Sequence, residues 1–106
     1  MMDDFNTLGL TGKAEEVAAD LNAEILSAIE YQEEGFPKFI DYEAIILDAI
    51  ENFLRQFNGE VSMYSIFSDR EIHNKLAEAK TREDIDDIVF GIAGAVAQYL
   101  SDNDFI

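Results

Sequence analysis

Between Thr11 and the triplet Gly35-Phe36-Pro37, the chain carries no proline and places an apolar residue at every third or fourth position. At about 100° per residue, Ala14, Val17, Ala18, Leu21, Ile25, Ala28 and Ile29 fall on one arc. Glu15, Glu16, Asp20, Glu24, Glu30, Glu33 and Glu34 fill the other side. Only a long amphipathic helix satisfies this pattern, and it is expected over residues 12–34. Thr11 suits its N-cap, and the proline forbids continuation.

The remaining segments repeat the theme. Asp41 is positioned to cap a second helix, with Ile40 and Ile45 at hydrophobic-staple spacing. Its apolar face is Tyr42, Ile45, Ile46, Ala49, Ile50, Phe53 and Phe57, widened by Leu47 and Leu54, and Asn58-Gly59 ends it. Ser68 and Glu71 form a capping box for a helix at 69–80 built on Ile72, Leu76 and Ala79. Thr81 and Asp84 start the last helix, at 82–101, whose first turns hold Glu83, Asp84, Asp86 and Asp87, where the macrodipole favours acids. The stretch EVSMYSIF at 60–67 is ambiguous between a short helix and an extended connector. The expected fold is all-α: a compact bundle of about four helices, roughly 12–34, 42–58, 69–80 and 82–101, in a single domain spanning 1–106.

Composition limits function. The chain has 106 residues and no cysteine, which removes disulfides, thiolate metal sites and cysteine nucleophiles. Eight Phe and four Tyr separate it from disordered acidic tails. The acidic opening MMDDFNTLGL does not read as a secretory signal, and no run is long enough to span a bilayer. The expected location is the cytoplasm.

A search for chemistry returns little. His73 is the lone histidine, on the charged third helix one turn after Asp69, with Ser65 and Ser68 merely near in sequence. One histidine cannot furnish the paired Glu-x-x-His motifs of a di-iron bundle. EDIDD reads as a helix N-terminus, and the Gly91 and Gly94 pair lies inside a helix as a packing feature rather than in a phosphate loop. No enzyme, no cofactor and no metal are expected.

Charge is the outlier. Twenty-three acids against seven bases give a formal charge of −16, which repels nucleic acid and anionic lipid alike. The excess is segregated: 1–35 and 81–106 are strongly acidic, whereas 61–80 is balanced. Within EEVAADLNAE, Glu16, Asp20 and Glu24 stand four apart, and Glu30 and Glu34 continue the run. Four residues of helix span about 6 Å, close to the roughly 6–7 Å between successive phosphates of a DNA strand. Such a stripe is either a solvated face or a decoy for a basic cleft. Leu26 and Tyr31 interrupt it, and an aromatic ringed by acids is an interface signature. Glu33 and Glu34 also oppose the macrodipole at the helix end, at a cost of a few tenths of a kcal/mol each.

In charge, size and helicity the chain is similar in character to phage anti-restriction and anti-CRISPR decoys and to immunity proteins that neutralise nuclease toxins. The likeness is one of type, and it transfers no residue role. The leading expectation is a non-enzymatic inhibitor, a DNA mimic in effect. It would bind a basic, nucleic-acid-handling protein through Glu16, Asp20, Glu24, Glu30, Tyr31 and Glu34. The alternative is a homodimer or larger homo-oligomer, structural or adaptor in role. It would assemble through Phe90, Gly94 and Ala97 on the second face of an uncharged segment, IVFGIAGAVAQYLS, with acidity serving solubility; the other reading of that face is a helix central in the bundle.

Overall fold

The computed structural model describes residues 12–35, 40–68 and 70–106. Five α-helices follow one another, and no strand occurs among the described residues: α1 Gly12–Gly35, α2 Tyr42–Leu54, α3 Met63–Ile66, α4 Glu71–Ala77 and α5 Arg82–Asp102. The all-α bundle read from the sequence is the architecture found. α3 is a single turn, so four helices form the frame.

Local chemistry accounts for most boundaries. Asp41 caps α2 by accepting from the Ala44 N–H at 3.1 Å. α2 tightens into a 3-10 turn at Arg55–Phe57 and stops where Asn58 and Gly59 adopt φ of 58° and 78°, conformations these two residue types tolerate. Thr81 and Asp84 form the full reciprocal capping box that starts α5. At Ser68–Glu71 only half of the expected box forms, the Glu71 carboxylate accepting from the Ser68 N–H at 3.3 Å. α4 runs only from Glu71 to Ala77, with Arg70 at its N-cap and no side chain capping it; residue 69 lies outside the described residues, as does Thr11. The end of α5 is a Schellman turn: Phe105 N–H donates to the Leu100 carbonyl at 2.8 Å and Asp104 N–H to that of Ser101 at 3.3 Å, with Asp104 at φ 62°.

The ambiguous stretch 60–67 resolves as both alternatives in sequence. Ser62 is extended and caps through its hydroxyl, and one turn of α3 follows. Val61, Met63 and Phe67 are buried, so this segment closes one end of the core. Its irregular pattern arises because its buried side chains come from a strand-like entry, a single helical turn and an extended exit.

α1 runs antiparallel to α2 and to α5. Glu33 near its carboxyl end meets Tyr42 and Arg82, whereas Val17 near its amino end shares a groove with Phe57 and Phe105. The α1–α5 contact is the most extensive, α1–α2 is next, and α3 and α4 bridge α2 and α5 on the far side. α1 and α4 thus occupy diagonal corners around one core. Leu21, Ile25 and Ile29 of α1 meet Ile46 and Ile50 of α2 and Val89, Ile92, Val96 and Leu100 of α5 there, all fully buried. Each such side chain contributes roughly 1.5–3 kcal/mol by leaving water. Among the described residues no polar or charged residue is buried.

Candidate partner-binding face

The acidic stripe is a surface. Glu16, Asp20, Glu24, Glu30 and Glu34 are all exposed, and Tyr31 among them is 72% exposed. On a wheel these six positions span about 120°, opposite the arc that buries Leu21 and Ile25. Their only ion pair among the described residues is Lys13 Nζ to Glu16 Oε1 at 3.8 Å. Such an exposed pair is worth less than about 1 kcal/mol and neutralises one charge in five.

The face is bounded on one side by the α1–α2 groove. Glu24, Ala28 and Tyr31 of α1 line it with Ile45, Asp48 and Asn52 of α2. Further along, Asp20 and Glu24 border a wider depression of about 900 Å³ whose apolar wall is Phe53, Phe57 and Phe105. Phe57 packs edge to face on Phe105, ring centres 5.7 Å apart, and lies tilted against Phe53 at 6.4 Å. Tyr31 therefore stands beside a partly apolar groove with carboxylates on both banks. Asp48 is a member of this face that the sequence reading missed. It lies on a different helix, and only the antiparallel docking of α2 against α1 brings it to Tyr31.

Several expectations need correcting. Of the two residues that interrupt the stripe, Leu26 is half-buried and packs on the core, and Tyr31 alone stays exposed. Glu33 is not an uncompensated charge at a helix end. Arg82 Nε donates to its Oε2 at 2.7 Å and Arg82 Nη2 to Oε1 at 3.3 Å, and the Tyr42 hydroxyl adds a bond at 3.2 Å. The guanidinium hydrogen bond holds the Glu33 carboxyl below its ordinary range against a smaller opposing effect of burial. Burial, followed by the Glu33 hydrogen bond, pushes the Tyr42 phenol up. Arg82 also pairs with Asp86 on its own helix, so this junction ties α1, α2 and α5 together and is structural. Glu34 remains exposed.

The second face proposed for α5 is largely internal. Gly94 and Ala97 are buried in the chain's own core, and only Phe90 reaches solvent, at 40% exposure. The buried arc of α5 is wide because the helix meets α1 on one flank and α3 and α4 on the other. Gly94 sits within that packing. Gly91 does not, since a Cβ there would meet nothing within 4 Å.

His73 Nδ1 lies 2.7 Å from Glu43 Oε1, a bridge from α4 to α2. The partner expected from the sequence, Asp69, lies outside the described residues. Among the described residues no cluster of three or more metal-ligating side chains occurs, and no helix is long and apolar enough to cross a membrane.

Compared with protein-family models, curated proteins and solved structures, the chain matches none. The functional reading rests on the molecule alone.

Proposed function

We propose that the protein is a non-enzymatic binding protein that inhibits a basic, nucleic-acid-handling protein by occupying its cationic cleft, in the manner of an anti-restriction or anti-CRISPR decoy or a toxin-immunity protein. One observation carries this reading: five exposed carboxylates on one arc of α1, about 6 Å apart where they stand four residues apart, surround an exposed tyrosine, and among the described residues Lys13 beside Glu16 is their one cationic partner. Like charges four apart destabilise a helix by about 0.2–0.5 kcal/mol per pair, so the stripe is a cost to the fold that a cationic partner would reverse.

In mechanism, the field of α1 steers a cationic cleft into encounter, and the complex is salt-sensitive. Glu16, Asp20, Glu24, Glu30 and Glu34 take positions that phosphates would hold, and Tyr31 seats an aromatic contact at the groove edge with Asp48 on the opposite bank. No bond is made or broken; the partner is blocked by occupancy.

The test is capture from a lysate of the native host setting with the tagged chain as bait, at low and high salt, beside a Glu16→Lys/Asp20→Lys/Glu24→Lys variant. A basic nuclease or DNA-binding protein retained at low salt, released by salt and lost from the folded variant is the expected result. Equal retention by both chains refutes the site.

A further inference from the structure

α4 occupies the corner diagonal to α1, and between α4 and α5 lies a cleft of about 470 Å³. Its floor is apolar, formed by Phe67, Ile88, Ile92 and Ala95, with Gly91 between Ile88 and Ala95 on successive turns of α5. Glu71, Glu78, Asp84 and Asp87 rim it against the single cation Lys75. Two of these acids have local duties: Asp84 accepts from the Lys80 and Thr81 N–H groups, and Glu71 from that of Ser68. Glu78 and Asp87 are exposed and have no such partner among the described residues.

Gly91 is the informative residue. It stands in the middle of a long helix, where glycine is the poorest choice after proline. Its φ is not positive, so no turn requires it, and a Cβ would meet nothing within 4 Å, so no packing within the chain requires it either. What glycine supplies at that point is bare backbone at the bottom of a cleft, room for an outside group to lie directly on α5.

We propose that the α4–α5 cleft is a second docking surface, which seats a basic amphipathic helical segment of a partner protein. The segment's apolar ridge crosses Gly91 on the floor of Ile88 and Ala95, and its lysines or arginines meet Glu78 and Asp87. The carboxylate rim selects this occupant. It repels nucleic acid and anionic lipid, and a second copy of the chain would bring the same acids against it. The surface lies on different helices from the α1 stripe, so either reading stands without the other.

The experiment is a titration of the isotope-labelled full chain, followed by amide NMR shifts, with a synthetic leucine–lysine amphipathic helical peptide at about 0.15 M salt. A leucine–glutamate peptide of the same pattern is the control. Expected are shifts centred on Lys75, Ile88, Gly91 and Ala95, and none with the acidic peptide. Gly91→Trp, which fills the cleft, and Glu78→Lys/Asp87→Lys should each weaken binding about tenfold or more. Gly91→Ala, which lays a methyl group on that bare backbone, should weaken binding severalfold, and Glu16→Gln/Asp20→Gln/Glu24→Gln should stay within about twofold of the parent. Should Gly91→Trp lose its helical circular dichroism, Glu78→Lys/Asp87→Lys decides alone, both of its changes being at exposed positions. Absence of binding, shifts centred on α1, retention by the cleft variants, or peptide-free shifts that grow with protein concentration would overturn the proposal, the last in favour of self-association.

Discussion

Replacing Arg82 by methionine tests how the bundle's corner is held. The guanidinium bridges Glu33 of α1 and Asp86 of its own helix, and the Arg82 and Glu33 side chains are 33% and 30% exposed. Charge-assisted hydrogen bonds are worth about 1.5–3 kcal/mol when well buried, and exposed pairs only about 0.2–1. Discounted for this solvent screening, the Glu33 bridge contributes about 1 kcal/mol and the helical pair with Asp86 about 0.3–0.5. Arg82→Met should therefore destabilise by about 1.5 kcal/mol, a fall in Tm of roughly 6–12 °C for a domain of this size. A double-mutant cycle with Glu33→Gln, read by urea unfolding at low salt, should return a coupling of about 1 kcal/mol. The pH dependence follows from the lowered Glu33 pKa. A depressed carboxyl stabilises the fold above its unfolded value, near 4.5, and that contribution is lost as pH falls through the folded value. The parent's advantage over Glu33→Gln should thus be level at neutral pH and close in acid. A coupling below about 0.3 kcal/mol, or an advantage that widens on acidification, would show that the bridge does not hold the corner.

Gly91→Ala should stabilise by about 0.5–1 kcal/mol, because it gains helix propensity and meets no neighbour; loss of stability in thermal melts would mean that the open space above α5 is filled. Converting Glu16, Asp20 and Glu24 to glutamine should raise stability by about 0.2–0.5 kcal/mol, relief of two like-charge spacings outweighing loss of the Lys13–Glu16 pair, an effect that shrinks in high salt. Ile25→Ala, at a fully buried position of α1, should cost about 3–4 kcal/mol, read by denaturant midpoint at unchanged m-value. Thr81→Ala removes the α5 cap and should cost about 1 kcal/mol, most visible as faster amide exchange in the first turn.

What the chain discloses before folding depends on how local each feature is. α1, α2 and α5 were legible because their apolar periodicity is written within a few residues, and for α2 and α5 so are the caps: Asp41 and the Thr81–Asp84 box act as their spacing demands. Residues 60–67 were not, because Val61, Met63 and Phe67 bury themselves through a one-turn helix that leaves no repeat to read. The exposed positions of the stripe were legible on the same wheel that located the core. Glu33 was misread because its partner Arg82 is 49 positions away. Gly94 and Ala97 fall inside, as the central-helix reading has it and the oligomer reading does not, because a helix packed on both flanks buries an arc wider than its obvious apolar stripe. Asp48 and the α4–α5 cleft depend on helix docking, which no single segment encodes.

The wholly apolar core has a consequence for how this molecule can change. Where a buried ion pair helps to define a fold, altering surface charge risks altering the shape. Here, among the described residues, no charge is buried and every fully buried side chain is aliphatic, so, the Arg82 junction apart, architecture and electrostatic address are separable. The carboxylates of the α1 stripe, Glu33 excepted, can be moved, thinned or inverted in sign without touching Leu21, Ile25 or Ile29 beneath them. The bundle is thus a neutral frame under a replaceable charge pattern, and that pattern can track a changing partner while the frame stays fixed.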